Sequence, residues 1–556
     1  DNLNSNATDE ALSANQGNEL RGKIELLDND INLKVDNHIN DSVNTTQGVH
    51  RIRIQQNKIE WQDDQGNWNR VSGGETPPFS DLTGLKLEVT DKEIKINWTD
   101  PSNVIVSGNV VTKWAGTRLI RKIGSYPKNE NDGTVVVNNS VRNQYKTNPY
   151  RDTGLINGTT YYYLLVPYSD DGQYTISNGN RLSGTPTAQR IYGVVIDETN
   201  SNPATAVTYT DNAIGFTPAS GNNGAFNWGS WESIIKDEFK IRPCVLNNPA
   251  KTVNYYLDYD NYNLKATGGA SVLTGTDGDV MIEFGVPIYT KWTTLGSKHK
   301  IQFSVKPFEG ATKNAFETEN GYNQFAYYPL LLTQKLFQMI FKNRDGQTAL
   351  GRGYVDGNSA YANTGRTNTK GFMFGETTGK QQMKFLGIED YWGNKYQWID
   401  GLVTDASFNI LIGNSNFNDT GSGYTSHASG ISANTAGYID TVQGGNDKGF
   451  IIKGKSGSAT THYCDYGYLN SGRVALFSGY HSVGSSAGFA RLQLDSGTSY
   501  AYAAIGGRLM CVNNGKLYIG AYLGTTQGGK LRSVSGTTPS DTKTISVFRN
   551  EAKANN

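Results

Sequence analysis

Ser471-Gly-Arg-Val-Ala-Leu-Phe-Ser-Gly-Tyr-His-Ser-Val-Gly-Ser-Ser-Ala-Gly-Phe489 opens the most informative stretch of the chain, which continues through Arg491-Leu-Gln-Leu-Asp495 to Ala504-Ile-Gly-Gly-Arg-Leu-Met510. Short apolar runs alternate there with loops of Tyr, His, Ser, Gly, Arg and Asp. Aromatic residues supply rigid contact area and small polar residues supply adaptable hydrogen bonds, so this mixture is typical of a recognition surface. The stretch therefore predicts short strands whose loops bind a partner.

The composition restricts the classes of protein to which the chain can belong. A length of 556 residues is too great for one core and predicts roughly three or four domains. Lys plus Arg and Asp plus Glu are equal at 51 each, which argues against nucleic acid or an anionic membrane as the main partner. The 64 glycines, 32 tyrosines and 18% charged residues are typical of β-rich extracellular proteins, and 11% aromatic residues argue against disorder.

The cysteines and the apolar runs bear on the compartment. Cys244, Cys464 and Cys511 are too few and too widely spaced for a disulfide framework or a zinc site, so we expect three buried thiols. The chain contains no run of about 18 apolar residues, so the sequence predicts no transmembrane helix. No signal-peptide pattern is present. An extracellular composition without disulfides or an export signal is what we expect of a protein assembled in bacterial cytoplasm and released by lysis, as virions are.

The first 78 residues predict a stalk followed by a hairpin. Residues 1–45 carry Leu20, Ile24, Leu27 and Ile31 at coiled-coil spacing, which predicts a trimerisation stalk; a single amphipathic helix packed on another domain stays open as an alternative. After Ile31 the apolar residues alternate, which indicates a change to a strand. Residues 46–78 begin with two short β runs, Ile52–Ile54 and Ile59–Trp61. The turn Asp63–Gly66 then leads to Trp68 and Val71, and alternation around this Gly-containing turn predicts a β-hairpin, followed by a linker with two prolines.

Residues 79–188 predict a β-sandwich. Ile94, Ile96 and Trp98 alternate on one strand and place the tryptophan in the core. Leu155-Ile-Asn-Gly-Thr-Thr-Tyr161 matches the tyrosine corner of such sandwiches, in which the hydroxyl bonds back to upstream backbone. The whole segment resembles a fibronectin type III domain, a fold that usually serves as a spacer.

Residues 189–556 predict an α+β module. Tyr192–Ile196, Val280–Phe284 and Ile301–Val305 predict strands, and Thr333 to Asn343 predict a helix that is apolar on more than one side and hence buried. Gly387-Ile-Glu-Asp-Tyr-Trp-Gly-Asn-Lys-Tyr-Gln-Trp-Ile-Asp400 and the late stretch together resemble the C-type-lectin-like fold. Phage receptor-binding proteins, the variable proteins of diversity-generating retroelements and formylglycine-generating enzymes share that fold.

The order of segments departs from that resemblance. In the resembling proteins, a segment like Gly515–Gly524 precedes the helix and joins onto one like Gly321–Phe325. Here it follows the Gly506-Gly-Arg-Leu509 run, so the order looks circularly permuted, and we expect residues 511–556 to pack beside residues 300–345. Near the other end, Ala7-Thr-Asp-Glu-Ala-Leu-Ser-Ala-Asn-Gln-Gly17 resembles a segment that precedes the coiled coil in trimeric phage tail fibres.

The resemblance implies a ligand-binding face between the Arg473-Val strand and the Gly-Gly-Arg508 strand. Carried over by position, its residues are Tyr480, His481, Ser482, Ser485, Phe489, Arg491, Gln493, Asp495, Thr498, Ser499, Tyr500 and Tyr502. Arg491, Gln493 and Asp495 alternate with leucines and so share one face of a strand. Two alternatives stay open: the aromatic residues are core residues, and the polar ones are an ordinary solvated surface. Trp392 and Trp398 are expected to support the face from below.

Catalysis, metals and cofactors receive weak support from the sequence. Glu389, Asp390 and Asp400 are candidates for a glycosidase pair, but neighbours on an extended segment point to opposite faces. Cys464 and Cys511 are not placed as the reactive pair of formylglycine-generating enzymes is. The six histidines lack metal-ligand spacing, and no phosphate-binding loop precedes a helix. We therefore expect no enzyme activity, no metal and no cofactor.

The sequence as a whole predicts a mostly β, multidomain tail fibre. Its expected function is attachment of a tailed phage or phage-tail-like bacteriocin to a bacterial surface, to a cell-wall polysaccharide or, as the close second, a surface protein. The chain would form a homotrimer, join other tail or baseplate proteins through its N-terminus, and reside in the virion tail. Two alternatives remain: a structural baseplate or collar connector, and a polysaccharide depolymerase.

Overall fold

The computed structural model describes residues 77–106, 109–357 and 360–556, together with the backbone of four short strands before residue 71. The chain divides into two compact units, Asp1–Gln189 and Arg190–Asn556. The predicted coiled coil of residues 1–45 lies outside the described residues, apart from the two-residue strand Leu33–Lys34.

The early strands form one antiparallel sheet. In chain order they are β1 (Leu33–Lys34), β2 (Arg51–Gln55), β3 (Lys58–Gln62) and β4 (Trp68–Arg70). Ile52 pairs with Trp61 and Ile54 with Ile59. Gln62 pairs with Trp68, so β3 and β4 pair on either side of the predicted turn, as the predicted hairpin requires. A strand at Leu33 agrees with the alternation that follows Ile31.

The rest of the first unit consists of two facing sheets and a small hairpin. Its strands are β5 (Thr83–Thr90), β6 (Glu93–Thr99), β7 (Val104–Val106), β8 (Asn109–Thr112), β9 (Trp114–Ile123), β10 (Thr134–Asn139), β11 (Tyr150–Thr153), β12 (Tyr161–Ser169) and β13 (Arg181–Gly184). The sheets run β10-β9-β12-β13 and β11-β6-β5, and β7 pairs with β8. Ile94, Ile96 and Trp98 are fully buried in the core, as predicted. The Ile156 amide donates to the Tyr161 hydroxyl at 3.0 Å, which is the expected bond to upstream backbone.

The second unit is also mostly β. Its first strands are β14 (Tyr192–Asp197), β15 (Val207–Asp211), β16 (Ser220–Asn222), β17 (Ala225–Asn227), β18 (Ile241–Leu246), β19 (Val253–Tyr256), β20 (Asp279–Phe284), β21 (Tyr289–Leu295), β22 (Lys298–Ser304) and β23 (Gly321–Gln324). After the central helices come β24 (Lys384–Phe385), β25 (Ile388–Glu389), β26 (Tyr396–Thr404), β27 (Ile410–Ile412), β28 (Thr425–His427), β29 (Thr435–Tyr438), β30 (Tyr466–Leu469), β31 (Val474–Phe477) and β32 (Leu492–Ser496). The last strands are β33 (Ile505–Gly506), β34 (Leu509–Asn513), β35 (Lys516–Gly520), β36 (Thr525–Gln527) and β37 (Lys530–Arg532).

Three α-helices accompany these strands in the described residues: α1 (Tyr327–Phe341), α2 (Gly346–Ala349) and α3 (Ile545–Lys553). Nearly every residue of α1 is buried, as its all-round apolar sequence predicted. The helix begins six residues before the predicted Thr333, because Pro329 lies in the first turn, where its missing N–H has no intrahelical partner to lose. It ends at Phe341, and Lys342 follows in the left-handed conformation with φ 52°.

Three sheets organise the second unit. Four strands run β15-β14-β22-β21, six run β19-β18-β20-β35-β34-β23, and the eight-stranded sheet runs β28-β27-β26-β31-β32-β30-β29 with β33 beside β26. Tyr322 on β23 pairs with Cys511 on β34, and the Asn556 side chain accepts from the Tyr322 amide at 2.7 Å. The expected packing of residues 511–556 beside residues 300–345 is therefore confirmed.

The mostly β architecture predicted from the sequence is confirmed. The three cysteines are free and buried, also as predicted. None of the helices in the described residues has the length and hydropathy that a transmembrane span needs.

Candidate functional site

One end of the eight-stranded sheet gathers side chains from four of its strands. Tyr396 begins β26, Arg491 immediately precedes β32, Tyr466 begins β30 and Tyr438 ends β29. Gln397 and Leu492 both pair with Phe477, so Tyr396 and Arg491 lie at the same level on either side of Ser478. Tyr466 pairs directly with Tyr438. Leu492 and Leu494 face the core, so their neighbours in the strand face outward.

Partly exposed tyrosines follow this end of the sheet in a line. We call Tyr438, Tyr466, Tyr468, Tyr396 and Tyr480 the tyrosine row. Ring centroids are 5.3 Å apart for Tyr438 and Tyr466 and 5.1 Å for Tyr466 and Tyr468. On the other side of Arg491, the rings of Tyr396 and Tyr480 are 5.4 Å apart. All five rings are partly buried, so each is held by the fold while part of it meets solvent.

Arg491 holds the middle of the row in place. Its guanidinium donates to the Ser486 carbonyl at 2.8 Å and to the Tyr396 hydroxyl at 3.0 Å. The side chain is only 4% exposed, and its charge lies 5.6 Å from the centroid of the Tyr396 ring. Arg491 is therefore a positioning residue, which fixes one row tyrosine and the turn at Gly484–Ser486.

A second group of rings continues from Tyr480. We call Tyr354, Tyr361 and His481 the loop cluster. The His481 ring lies 5.4 Å from that of Tyr480 and 4.7 Å from that of Tyr361. Lys395 places its ammonium 3.3 Å from the centroid of the Tyr361 ring and donates to Asp541 at 2.7 Å. The loop cluster is thus joined to the row and rests on an ion pair between the buried Lys395 and the partly exposed Asp541.

The sequence-predicted site residues divide into three groups. Tyr480, His481, Ser485 and Arg491 come together at the end of the sheet, where Ser485 and the Tyr438 hydroxyl are 3.3 Å apart. Gln493 and Asp495 lie farther along the same outward face of β32. The others that meet solvent are Ser482, Thr498, Ser499, Tyr500 and Tyr502, and the last two rings stack 6.3 Å apart.

Phe489 does not belong to the surface, and its assignment to the ligand face was wrong. It is fully buried and stacks on Phe337 of α1 with centroids 4.7 Å apart. The physical reason is the size of its apolar ring, which the helix covers completely. Gln493, at 6% exposure, and Arg491 are likewise buried polar groups rather than a solvated face.

Six aromatic residues of the site escaped the sequence reasoning: Tyr354, Tyr361, Tyr396, Tyr438, Tyr466 and Tyr468. The alternation in Tyr466-Gly-Tyr468 could have indicated two rings on one strand face. Tyr396 and Tyr438 come from segments far apart in sequence and are aligned by the strand order of the eight-stranded sheet. Tyr354 and Tyr361 lie outside the strands and reach the site through their ring contacts with His481.

Burial favours the uncharged forms of the titratable side chains at the site. Burial raises the pKa of Tyr396 and of Tyr468, although the Arg491 guanidinium opposes it, so both phenols keep their protons. Burial likewise raises the pKa of the Asp495 carboxyl and lowers that of the Lys395 ammonium. Among the described residues, three buried polar atoms of this region lack a hydrogen-bond partner: His481 Nδ1, Arg491 Nε and Gln493 Oε1.

The carboxylates of the tryptophan-rich segment are internal. Glu389 and Asp390 are fully buried, and Gln382 donates to both, at 3.3 Å and 2.6 Å. The expectation that they point to opposite faces was wrong, because Asp390 has φ 51° and the backbone there is not extended. Glu389 accepts the amides of Gly365 and Thr367, which is a loop-fixing role.

The two tryptophans of that segment are fully buried. Trp392 donates to the Arg352 carbonyl at 3.0 Å and its ring lies 5.6 Å from that of Phe337, whereas Trp398 donates to the Lys543 carbonyl at 3.1 Å in a separate core cluster. Asp400 is also buried and accepts two bonds from Arg549.

No cluster of three or more His, Cys, Asp or Glu in the described parts of the chain is placed to hold a metal ion. No family model matches the chain, and no curated protein matches it.

Proposed function

We propose that this chain is a receptor-binding protein of a tailed phage or phage-tail-like bacteriocin, which attaches the particle to a polysaccharide of the bacterial surface. The observation that carries the proposal is the tyrosine row, with Arg491 fixing its centre. Tyrosine offers a large flat face at low conformational cost and a hydroxyl that donates and accepts hydrogen bonds. Sugars present both apolar C–H faces and hydroxyls, so the row matches them in both respects.

The rest of the chain has a place in this proposal. The stalk predicted for residues 1–45 would join three chains, the sandwich of residues 79–188 would act as a fibronectin type III spacer, and residues 189–556 would present the row from a permuted C-type-lectin-like module. Three weak sites on one stalk raise avidity by roughly 10²–10⁴ over a single site. Such a fibre would hold the particle on a host cell through many contacts that are individually reversible, and it would be part of the virion tail.

The proposal is tested by binding of the full chain to intact cells and purified walls of candidate Gram-positive hosts. Tyr480→Ala removes a row ring that contacts Tyr396 and His481, and we expect it to weaken binding by about tenfold with an unchanged urea midpoint. Tyr289→Ala is the matched control, since Tyr289 is a partly buried tyrosine on a different sheet. It should bind as the wild type does.

Two results would replace the proposal with one of its alternatives. A folded wild-type chain that binds no wall and no cell would favour a baseplate or collar connector. Release of soluble oligosaccharide from purified walls would favour a depolymerase.

A further inference from the structure

The tyrosine row and the loop cluster form one strip of rings that is interrupted at Arg491. We call this strip, from Tyr438 through Arg491 to Tyr361, the aromatic belt. On the sheet, neighbouring ring centroids are 5.1 to 5.3 Å apart in the group Tyr438, Tyr466 and Tyr468, and 5.4 Å apart for Tyr396 and Tyr480. From Tyr480 the strip passes to His481 at 5.4 Å and on to Tyr361 at 4.7 Å. Arg491 lies between the two halves: its charge is 5.6 Å from the centroid of the Tyr396 ring, and β32, which it precedes, pairs with the strand that carries Tyr468.

The belt is much longer than one sugar. Tyr396 on β26 and Tyr438 on β29 are separated by four steps in the strand order of the sheet. At about 4.8 Å per step, this part of the belt alone spans roughly 19 Å. Tyr480, His481 and Tyr361 extend it beyond β26. A single monosaccharide covers only a small part of that length, whereas a chain of several sugars can contact successive rings.

Both cations that contact belt rings are engaged within the protein, Lys395 by a carboxylate and Arg491 by neutral oxygens. Lys395, the cation against Tyr361, is bound to Asp541 at 2.7 Å. Arg491 is 4% exposed and uses two of its nitrogens on Ser486 and Tyr396. Asp495 adds a carboxyl on the same strand face. Recognition of phosphate or carboxylate requires cations free to form charge-assisted bonds, and both cations that contact belt rings are engaged.

We propose that the aromatic belt binds an uncharged linear polysaccharide lengthwise, with several consecutive sugars in contact with rings from Tyr438 to Tyr361. This inference rests on the proposed function and makes it specific in two respects: the ligand is a neutral polymer, and its length determines affinity.

The test uses polysaccharide from the walls of a bound host, separated by anion exchange into an uncharged and an anionic pool. Each pool is cut to graded lengths, and binding to the full chain is measured by calorimetry at low and high salt. We expect the uncharged pool to bind, its affinity to rise with length until the belt is filled, and the affinity to be insensitive to salt. Preferential binding of the anionic pool, weakened by salt, would overturn the neutral-polymer inference.

Variants at the two ends of the belt test the lengthwise arrangement. Tyr466→Ala and Tyr361→Ala should each weaken binding of long chains by about three- to tenfold, and together by the product of the two factors. Short fragments can occupy either end, so each single variant should affect them less. Tyr289→Ala again serves as the control.

The possible failures are distinguishable. Affinity that reaches its maximum with one or two sugars, or loss confined to one end of the belt, would overturn the lengthwise arrangement while the proposed function stands. If neither pool binds at any length, the proposed function fails together with this inference.

Discussion

Phe489 is the residue at which burial has the clearest energetic consequence. It is fully buried between Phe337 of α1 and Phe450, with the first ring stacked at 4.7 Å and the second edge-on at 5.4 Å. Phe489→Ala should lower the free energy of unfolding by about 3–5 kcal/mol, because it leaves a cavity in a packed core. Urea denaturation measures the change. Tyr500→Ala, at a residue 48% exposed, is the control and should stay within about 0.5 kcal/mol of the wild type.

Lys335 is a charged residue inside the same core. The side chain on α1 is 3% exposed, and its ammonium donates to the neutral oxygens of Thr290, at 3.1 Å, and Asn446, at 3.4 Å. Burial lowers the pKa of Lys335 from 10.5 to about 7, and the nearby Asp447 only partly opposes this. Between pH 7 and about 10 the unfolded chain therefore holds a proton that the folded protein has released.

This difference predicts how stability depends on pH. Since the unfolded state binds more protons in this window, Lys335 makes the free energy of unfolding rise with pH, by up to about 1.4 kcal/mol per pH unit. Lys335→Met should remove that contribution, so the stability of the wild type relative to the variant should increase from pH 7 to pH 9. Urea unfolding at three pH values measures it. Lys380→Met changes an exposed lysine, and its free energy of unfolding should depend on pH as that of the wild type does. The same pH dependence for Lys335→Met and the wild type would contradict the prediction.

At the scale of elements, α3 is fixed to the eight-stranded sheet by a buried ion pair. Arg549 donates from two nitrogens to Asp400 of β26, at 2.9 Å and 2.6 Å, and also bonds Asp419. Asp400 is 1% exposed, and burial raises its pKa to about 6 although Arg549 opposes the shift. The helix also follows the segment whose backbone accepts the Trp398 indole, so β26 is bonded both to the helix and to the residues just before it.

Removing Arg549 should therefore detach this helix. Arg549→Ala is expected to cost about 3–5 kcal/mol at pH 7, because it leaves a buried carboxylate without its partner. Arg549→Lys should cost less but still destabilise, since an ammonium cannot reproduce the two-pronged contact. Thermal or urea unfolding gives the difference, with Asn550→Ala on the exposed side of the same helix as control. Equal effects of the two alanine variants would show that the ion pair contributes little.

At the scale of the whole molecule, the two units are self-contained in their backbone pairing. Each sheet in the described residues draws all its strands from one unit, and the division falls between Gln189 and Arg190. A chain segment with its own sheets and core can fold alone. Residues 190–556 expressed alone should thus unfold cooperatively at the urea midpoint that this unit has in the full chain. A lower midpoint, or loss of cooperativity, would indicate that the unit depends on residues before 190.

The sequence predicted those parts of the fold that depend on residues close together in the chain. Alternation identified the Ile94–Trp98 strand and the strands at Ile52–Ile54 and Ile59–Trp61, and the apolar density of α1 predicted its burial. The expected packing of residues 511–556 beside residues 300–345 was also confirmed. The candidate site was predicted less completely, because Tyr361, Tyr396 and Tyr438 reach it from distant segments.

The sequence by itself determined the mostly β class, the buried thiols and the elements with a clear period, because each depends on residue type and spacing within a short window. Tertiary structure alone decided which side chains meet. Strand order in the eight-stranded sheet aligned tyrosines from β26, β29 and β30, and the packing of α1 placed Phe489 in the core. The physical reason is that strand pairing and helix packing join residues a hundred positions apart, and no local pattern encodes those partners.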